Sequence, residues 1–242
     1  MKLVENTVEN TPAKLYERWD VHQRAQHWLM MISFTLLAVT GLVIKYAYTS
    51  WAQVLAKVFV NFEILFFLHL AAAVLMILAA LYHLIYLIWK VSRRSLRGSM
   101  LPTWQDAKDI ACNFGLFCGL RKEGPKFAKY SYKEKVDYLA EYWGTPVMII
   151  TGFILWYPGT AASFLPRWAI ESAHFFHQGE GLLAILVIFI WHLYSVHFSP
   201  DFFPMNKVWL TGKVSRAVME HEYPLELARL EEEEKNSGRQ IP

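Results

Sequence analysis

Four stretches of the chain stay apolar for about as long as a helix needs to cross a bilayer, and polar residues fill the segments between them. They cover residues 28–48, 64–89, 143–164 and 175–197. A hydrocarbon core of about 30 Å takes roughly 20 helical residues. The third stretch is the least pure and includes Gly152 and Pro158. The pattern predicts an all-α integral membrane protein, a four-transmembrane-helix bundle over residues 25–198. Polar tails, 1–24 and 199–242, flank it, and a long polar connection, 90–142, joins the second and third spans.

Charge orients this arrangement. Of the 24 Lys and Arg residues, 21 fall in the two tails and the long connection. Lys45, Lys57 and Arg167 are the three on the other side. Basic residues collect on the cytoplasmic side of a membrane protein, so both termini and the long connection are expected there. Within that connection Trp104, Ala107, Ala111, Phe114 and Cys118 form one helical stripe. The stripe suits a helix lying on the inner membrane face, or one packed under the bundle. The last stretch, 226–242, with Glu231–Glu234 in a row, reads as a solvated helix ending in a frayed tail.

Composition agrees. The chain is 55% apolar and 19% charged, against about 25% charged in soluble domains. Cys112 and Cys118 form neither CxxC nor CxxCH, and on the cytoplasmic side they are expected to stay reduced. The chain has no P-loop or GxGxxG, and nothing in it points to nucleic acid. The lipid bilayer is the partner that the composition demands.

Histidines carry the chemistry. An ionisable residue inside a span is costly and marks function. His69 and His83 share the second span, His177 and His192 the fourth; His27 opens the first and His197 closes the fourth, with His174 just outside. Fourteen helical residues fall about 40° short of four turns, fifteen overshoot by about 60°, and the rise is about 21–22 Å. Each pair therefore lies on one face, with one imidazole near each surface. His69 and His177 match in depth near the outer surface; His83, His192 and His27 match near the inner one. A bare metal site gathers three or four ligands, whereas facing imidazoles suit the two axial positions of haem. Ala71, Ala72, Ala73, Ala79, Ala80, Gly179, Gly181 and Ala184 leave room for a flat ring. Glu180 reads as a partner of an outer histidine or of a haem propionate. A histidine-based proton or metal transporter is the alternative.

Arg24-Ala25-Gln26-His27-Trp28, Ser33-Phe34, Thr40-Gly41, His192-Leu193-Tyr194 and Gly212-Lys213-Val214-Ser215-Arg216, with His221 and Pro224 beyond, resemble the membrane cytochrome b subunits of formate dehydrogenases and nickel–iron hydrogenases. The likeness is to the bacterial cytochrome b561-like, cytochrome b/b6-domain type. It extends to HxxExLLA at 177–184 and HFxPxxFPM at 197–205. It implies two haem b groups, with His69 and His177 on the outer one and His27 and His192 on the inner one. It also implies an iron–sulfur or multihaem partner subunit, menaquinone or ubiquinone as substrate, and a bacterial inner membrane. Two positions depart from the pattern: His83 has no counterpart, although spacing alone selects it over His27 to face His192, and the 177–192 interval is longer by one residue than the pattern has it. Arg24, His83, Tyr142 and Tyr194 are the polar quinone candidates at the inner depth. Trp51, Trp156 and Trp168 lie in the short outer loops where a partner could dock. The expectation is an electron-transfer subunit rather than a complete enzyme, with a stand-alone b561-type reductase as the rival.

Overall fold

The structure, a computed structural model, describes residues 14–95, 100–199 and 202–238. Lys2, Arg97 and Arg239 of the charge count, Pro200 of the 197–205 pattern and the end of the expected frayed tail, 239–242, lie outside them. Among the described residues there are ten α-helices and two short strands. In chain order these are β1 (Leu15–Glu17), α1 (Val21–Lys45), α2 (Ser50–Val58), α3 (Phe62–Ser92), α4 (Trp104–Phe117), α5 (Tyr132–Trp156), α6 (Pro158–Ala162) and α7 (Arg167–Leu186). Then come α8 (Val208–Thr211), β2 (Lys213–Ser215), α9 (Arg216–Glu222) and α10 (Pro224–Ser237).

Among the described residues three helices are long and apolar enough to cross a membrane: α1, α3, and α7 with its continuation, Arg167–Phe198. That continuation is π-helical over Val187–His192 and Tyr194–Phe198. The expected third span differs in its bounds. A capping box between Ser131 and Glu134 starts α5 well before its apolar part. At the other end the helix stops at Trp156, and Pro158 opens the separate α6, because proline has no N–H to continue the ladder. The first half of α5 therefore carries Lys133, Glu134, Lys135, Asp137 and Glu141.

α1 packs antiparallel along α3 and α5 along α7, and these are the most extensive helix contacts; the pairs touch more sparingly, α1 against α7 and α3 against α5. At the basal end, where α1 and α5 begin, β1 pairs antiparallel with β2, placing Tyr16 opposite Val214. Tyr16, Val214, Met219, Tyr223, Leu227 and Leu230 bury one another there. This corrects the reading of the C-terminal helix as solvated: Leu227, Leu230 and Glu226 of α10 are buried. The chain ends are joined through Gly212, whose carbonyl accepts from Arg18 N and Trp19 N at 2.8 and 3.1 Å. Gly212 has φ +75°, and a Cβ there would lie 2.4 Å from Trp19 O, so glycine is required.

α4 is inverted relative to a soluble helix. Asp106 and Asp109 face the protein, and Asp106 meets Lys135 of α5 at 2.8 Å, while Trp104, Ile110, Phe114 and Phe117 are exposed.

Candidate functional site

At the distal end two arrangements match. Thr40 of α1 donates its hydroxyl hydrogen to Leu36 O at 2.6 Å. Its oxygen must therefore accept from His69 Nδ1–H, 2.8 Å away. Thr151 of α5 donates to Val147 O at 2.6 Å and accepts from His177 Nδ1–H at 3.0 Å. In each case the next residue is glycine, and a Cβ on Gly41 or Gly152 would lie 3.3 Å from the Cε1 of the facing imidazole. A threonine thus fixes each ring's tautomer and a glycine makes room for the ring. With Nδ1 as the donor, the Nε2 of His69 is left unprotonated, and the His177 ring is held by the Met148 carbonyl as well as by Thr151. His69 and His177 come from the two different helix pairs and interact electrostatically.

At the basal end His192 donates Nδ1–H to Asp137 Oδ2 at 3.0 Å. His27 and His197 both lie within electrostatic reach of His192. The Nδ1 atoms of His27 and His197 are buried without a hydrogen bond, as is Trp209 Nε1; the Trp209 ring sits 6.3 Å from His27 and 6.4 Å from His197. His83 is held differently. Its Nδ1–H donates to Gln26 Oε1 at 2.9 Å, and its Nε2 accepts from Tyr138 O–H at 3.0 Å. Both its nitrogens are engaged.

These contacts reveal an internal repeat. Gln26 and Thr40 are 14 residues apart on α1, and so are Asp137 and Thr151 on α5. Thr40-Gly41 faces His69 as Thr151-Gly152 faces His177; Gln26 anchors His83 as Asp137 anchors His192. Pair α1/α3 thus maps onto pair α5/α7 about a two-fold direction along the helices. His69 and His177 are each other's images. His83 corresponds to His192, and Tyr138 to His27. The one-residue excess in the 177–192 interval is absorbed by the π turn Val187–His192, since a π turn closes on i+5 rather than i+4. The 60° overshoot expected from straight α geometry does not displace His192 from Asp137.

Of the other expected site residues, Arg24 donates from Nη1 to Leu210 O at 2.7 Å, holding the C-terminal segment. Tyr142 and Tyr194 are exposed, as are Trp51 and Trp168. His174 pairs with Gln178 at 3.0 Å, and Lys45 reaches the same glutamine at 2.7 Å. Glu180 makes no hydrogen bond to a histidine among the described residues and lies against α5, with Oε1 2.8 Å from where a Cβ on Gly144 would sit. Cys112 and Cys118 are free thiols.

Outside the spans, burial alone would raise the Asp20 carboxyl, but hydrogen bonds from Tyr86, Gln23 N and Lys90 outweigh it and hold the group low. The same balance, with Lys135 and Thr103 as donors, lowers Asp106.

Sequence reasoning met Gln26 and Thr40 only as parts of the family likeness, without their role behind the imidazoles, and missed Thr151, Asp137 and Tyr138. A signal was present: Gln26, Ser33 and Thr40, and likewise Asp137, Gly144 and Thr151, recur every seven residues, which keeps polar or small groups on one helix face.

Among the described residues no three His, Cys, Asp or Glu side chains are grouped to hold a bare metal ion. His69, His177 and His192 are each held at Nδ1, and such second-atom hydrogen bonds are what a histidine ligating a haem iron uses. Apolar helices long enough to cross the bilayer and these histidines define a multi-pass membrane haem protein that carries electrons. The profile of the prokaryotic cytochrome b561 family matches residues 18–203, and the chain belongs to that family. No curated protein matches the chain.

Proposed function

We propose that this chain is the membrane cytochrome b subunit of a respiratory oxidoreductase complex. It would pass electrons through two b haems between a partner redox subunit, iron–sulfur or multihaem, and the membrane quinone pool. In this reading α5 also crosses the membrane, as the third of four spans, both termini are cytoplasmic, and α4 lies on the inner membrane face with its exposed apolar stripe in lipid.

The carrying observation is the matched pair Thr40-Gly41/His69 and Thr151-Gly152/His177. A proton carrier needs an imidazole that exchanges at both nitrogens; a rigid Nδ1–H bond instead suits an axial ligand. We assign His69 and His177 to the outer haem, and His27 and His192 to the inner one. Engagement of both His83 nitrogens favours His27 for the inner position. When bound, each haem supplies a one-electron couple at an iron with no open position. The chain's own residues orient the ligands: Thr40 and Thr151 hold the outer rings, and the Asp137 carboxylate holds His192 and strengthens its donation.

The test is a reduced-minus-oxidised spectrum of the detergent-purified protein with pyridine haemochrome quantitation. Two b haems per chain are expected, one lost in His69→Ala and the other in His192→Ala. A featureless spectrum from a folded, membrane-inserted chain overturns the reading. Co-purification of hydrophilic subunits separates a complex subunit from a stand-alone reductase, and labelling of single cysteines placed near Lys57 and Lys108 reports the orientation.

A further inference from the structure

The internal two-fold leaves a question at the basal level. One image of the level pairs His27 with His192, and the other pairs Tyr138 with His83. The second has the same depth and the same Nδ1 anchor, yet its ring nitrogen meets a phenol rather than a second imidazole. A neutral imidazole carries one donor and one acceptor nitrogen. Both are engaged in His83, which is held in a polarised chain: Tyr138 O–H donates to Nε2, and Nδ1–H donates to Gln26 Oε1. The Tyr138 oxygen keeps its lone pairs and can accept a further proton donor.

The surroundings suit a flat ring arriving from lipid. Tyr142, one turn along α5, is 67% exposed, and its ring lies within 25° of parallel to that of Tyr138, with centroids 6.4 Å apart. Pro146 lies inside α5, so the Tyr142 carbonyl loses its usual helical donor. That carbonyl is an acceptor at membrane depth. The Gln26 side-chain nitrogen, on a residue only 8% exposed, is buried without a hydrogen bond and adds a donor beside His83.

We propose that Tyr138 and His83 form the proton-transfer wall of the quinone site, with Tyr142 at its lipid entrance; the proposal rests on the quinone-linked reading above. In the oxidising direction a quinol hydroxyl gives its proton to the Tyr138 oxygen as Tyr138 passes its own to His83 Nε2. The second hydroxyl proton leaves to water at the membrane surface. The two electrons would be taken up by the haem groups that the chain is proposed to hold, one each, and the quinol becomes quinone. Quinone reduction runs the same transfers backwards.

The experiment uses the full-length protein in nanodiscs with Tyr138→Phe, His83→Gln and Tyr142→Ala. The first reading is a fluorescence titration with 2-heptyl-4-hydroxyquinoline N-oxide, a quinol analogue whose binding needs no haem. The second is the rate of haem reduction by menadiol in H2O and D2O. Tyr138→Phe is expected to keep both haems and their potentials, weaken the probe about tenfold, as loss of one hydrogen bond would, and slow haem reduction at least as much, with a smaller isotope effect. Retention of wild-type probe affinity and reduction rate in Tyr138→Phe overturns the proposal. So does loss of a haem from that variant, which would make the pair part of a haem site. If the wild type carries no haem but its probe binding still depends on Tyr138, the haem assignment fails and this site stands.

Discussion

Replacing Thr40 by valine keeps the shape of the residue and removes the acceptor for His69 Nδ1–H. Two independent routes give the size of the effect. A buried donor left without a partner costs about 1–3 kcal/mol. Loss of a hydrogen-bond partner behind a metal-ligating histidine typically weakens metal binding by about 10–100-fold, which at about 1.4 kcal/mol per decade is about 1.4–2.8 kcal/mol. The two ranges overlap because they describe one event, an imidazole that loses its fixed tautomer. Thr40→Ser keeps the hydroxyl and is expected to stay near wild type. Gly41→Ala attacks the same ring sterically, since the new Cβ would lie 3.3 Å from His69 Cε1, and the ring must shift by a few tenths of an ångström. The assay is the rate at which haem leaves the purified protein for an excess of apomyoglobin. Thr40→Val should release one of two haems about 10–100-fold faster, and Thr151→Val should act on the same haem. If both valine variants hold haem as wild type does while His69→Ala loses it, the threonines do not position the ligands and the reasoning fails.

Other outcomes follow from the same geometry. Asp137→Asn removes the carboxylate behind His192 and should raise one haem potential by about 60 mV, a tenfold change for a one-electron couple, while leaving the other unmoved in a potentiometric titration. Lys135→Met removes the cation from Asp106 and leaves it only its hydrogen bonds from Thr103; loss of a hydrogen bond to a charged group costs about 1.5–3 kcal/mol, read as faster proteolysis between α4 and α5. Asp20 and Asp106 have depressed values in the folded protein. Their stabilisation is therefore present above the unfolded value of about 3.9 and is lost as the pH falls through the lower folded values, so the basal end should loosen to protease only below about pH 4. Arg18→Ala removes a guanidinium lying 3.8 Å from the Tyr223 ring centroid, and hydrogen exchange in α9 and α10 should rise.

Two departures that the sequence presents as anomalies have physical explanations in the structure. The extra residue between His177 and His192 looks like a misplaced ligand when straight α-helix is assumed, and it is taken up by π turns. His83 looks by spacing like the better ligand opposite His192, yet Gln26 and Tyr138 occupy both its nitrogens. Spacing along one helix reports depth and face; it cannot report which neighbouring helix offers a partner.

The amino-acid order by itself determined the apolar helices, the depth of each histidine and the family likeness, because these depend on the fixed rise and turn of a helix and on the cost of charge in lipid. Only the tertiary structure decided the rest. It set Thr40, Thr151, Asp137 and Gln26 behind the imidazoles, turned Glu180 onto Gly144, buried one face of the acidic C-terminal helix, and made the two helix pairs images of each other. Those features depend on which side chains meet across helices far apart in sequence, and that is settled by packing rather than by any local pattern.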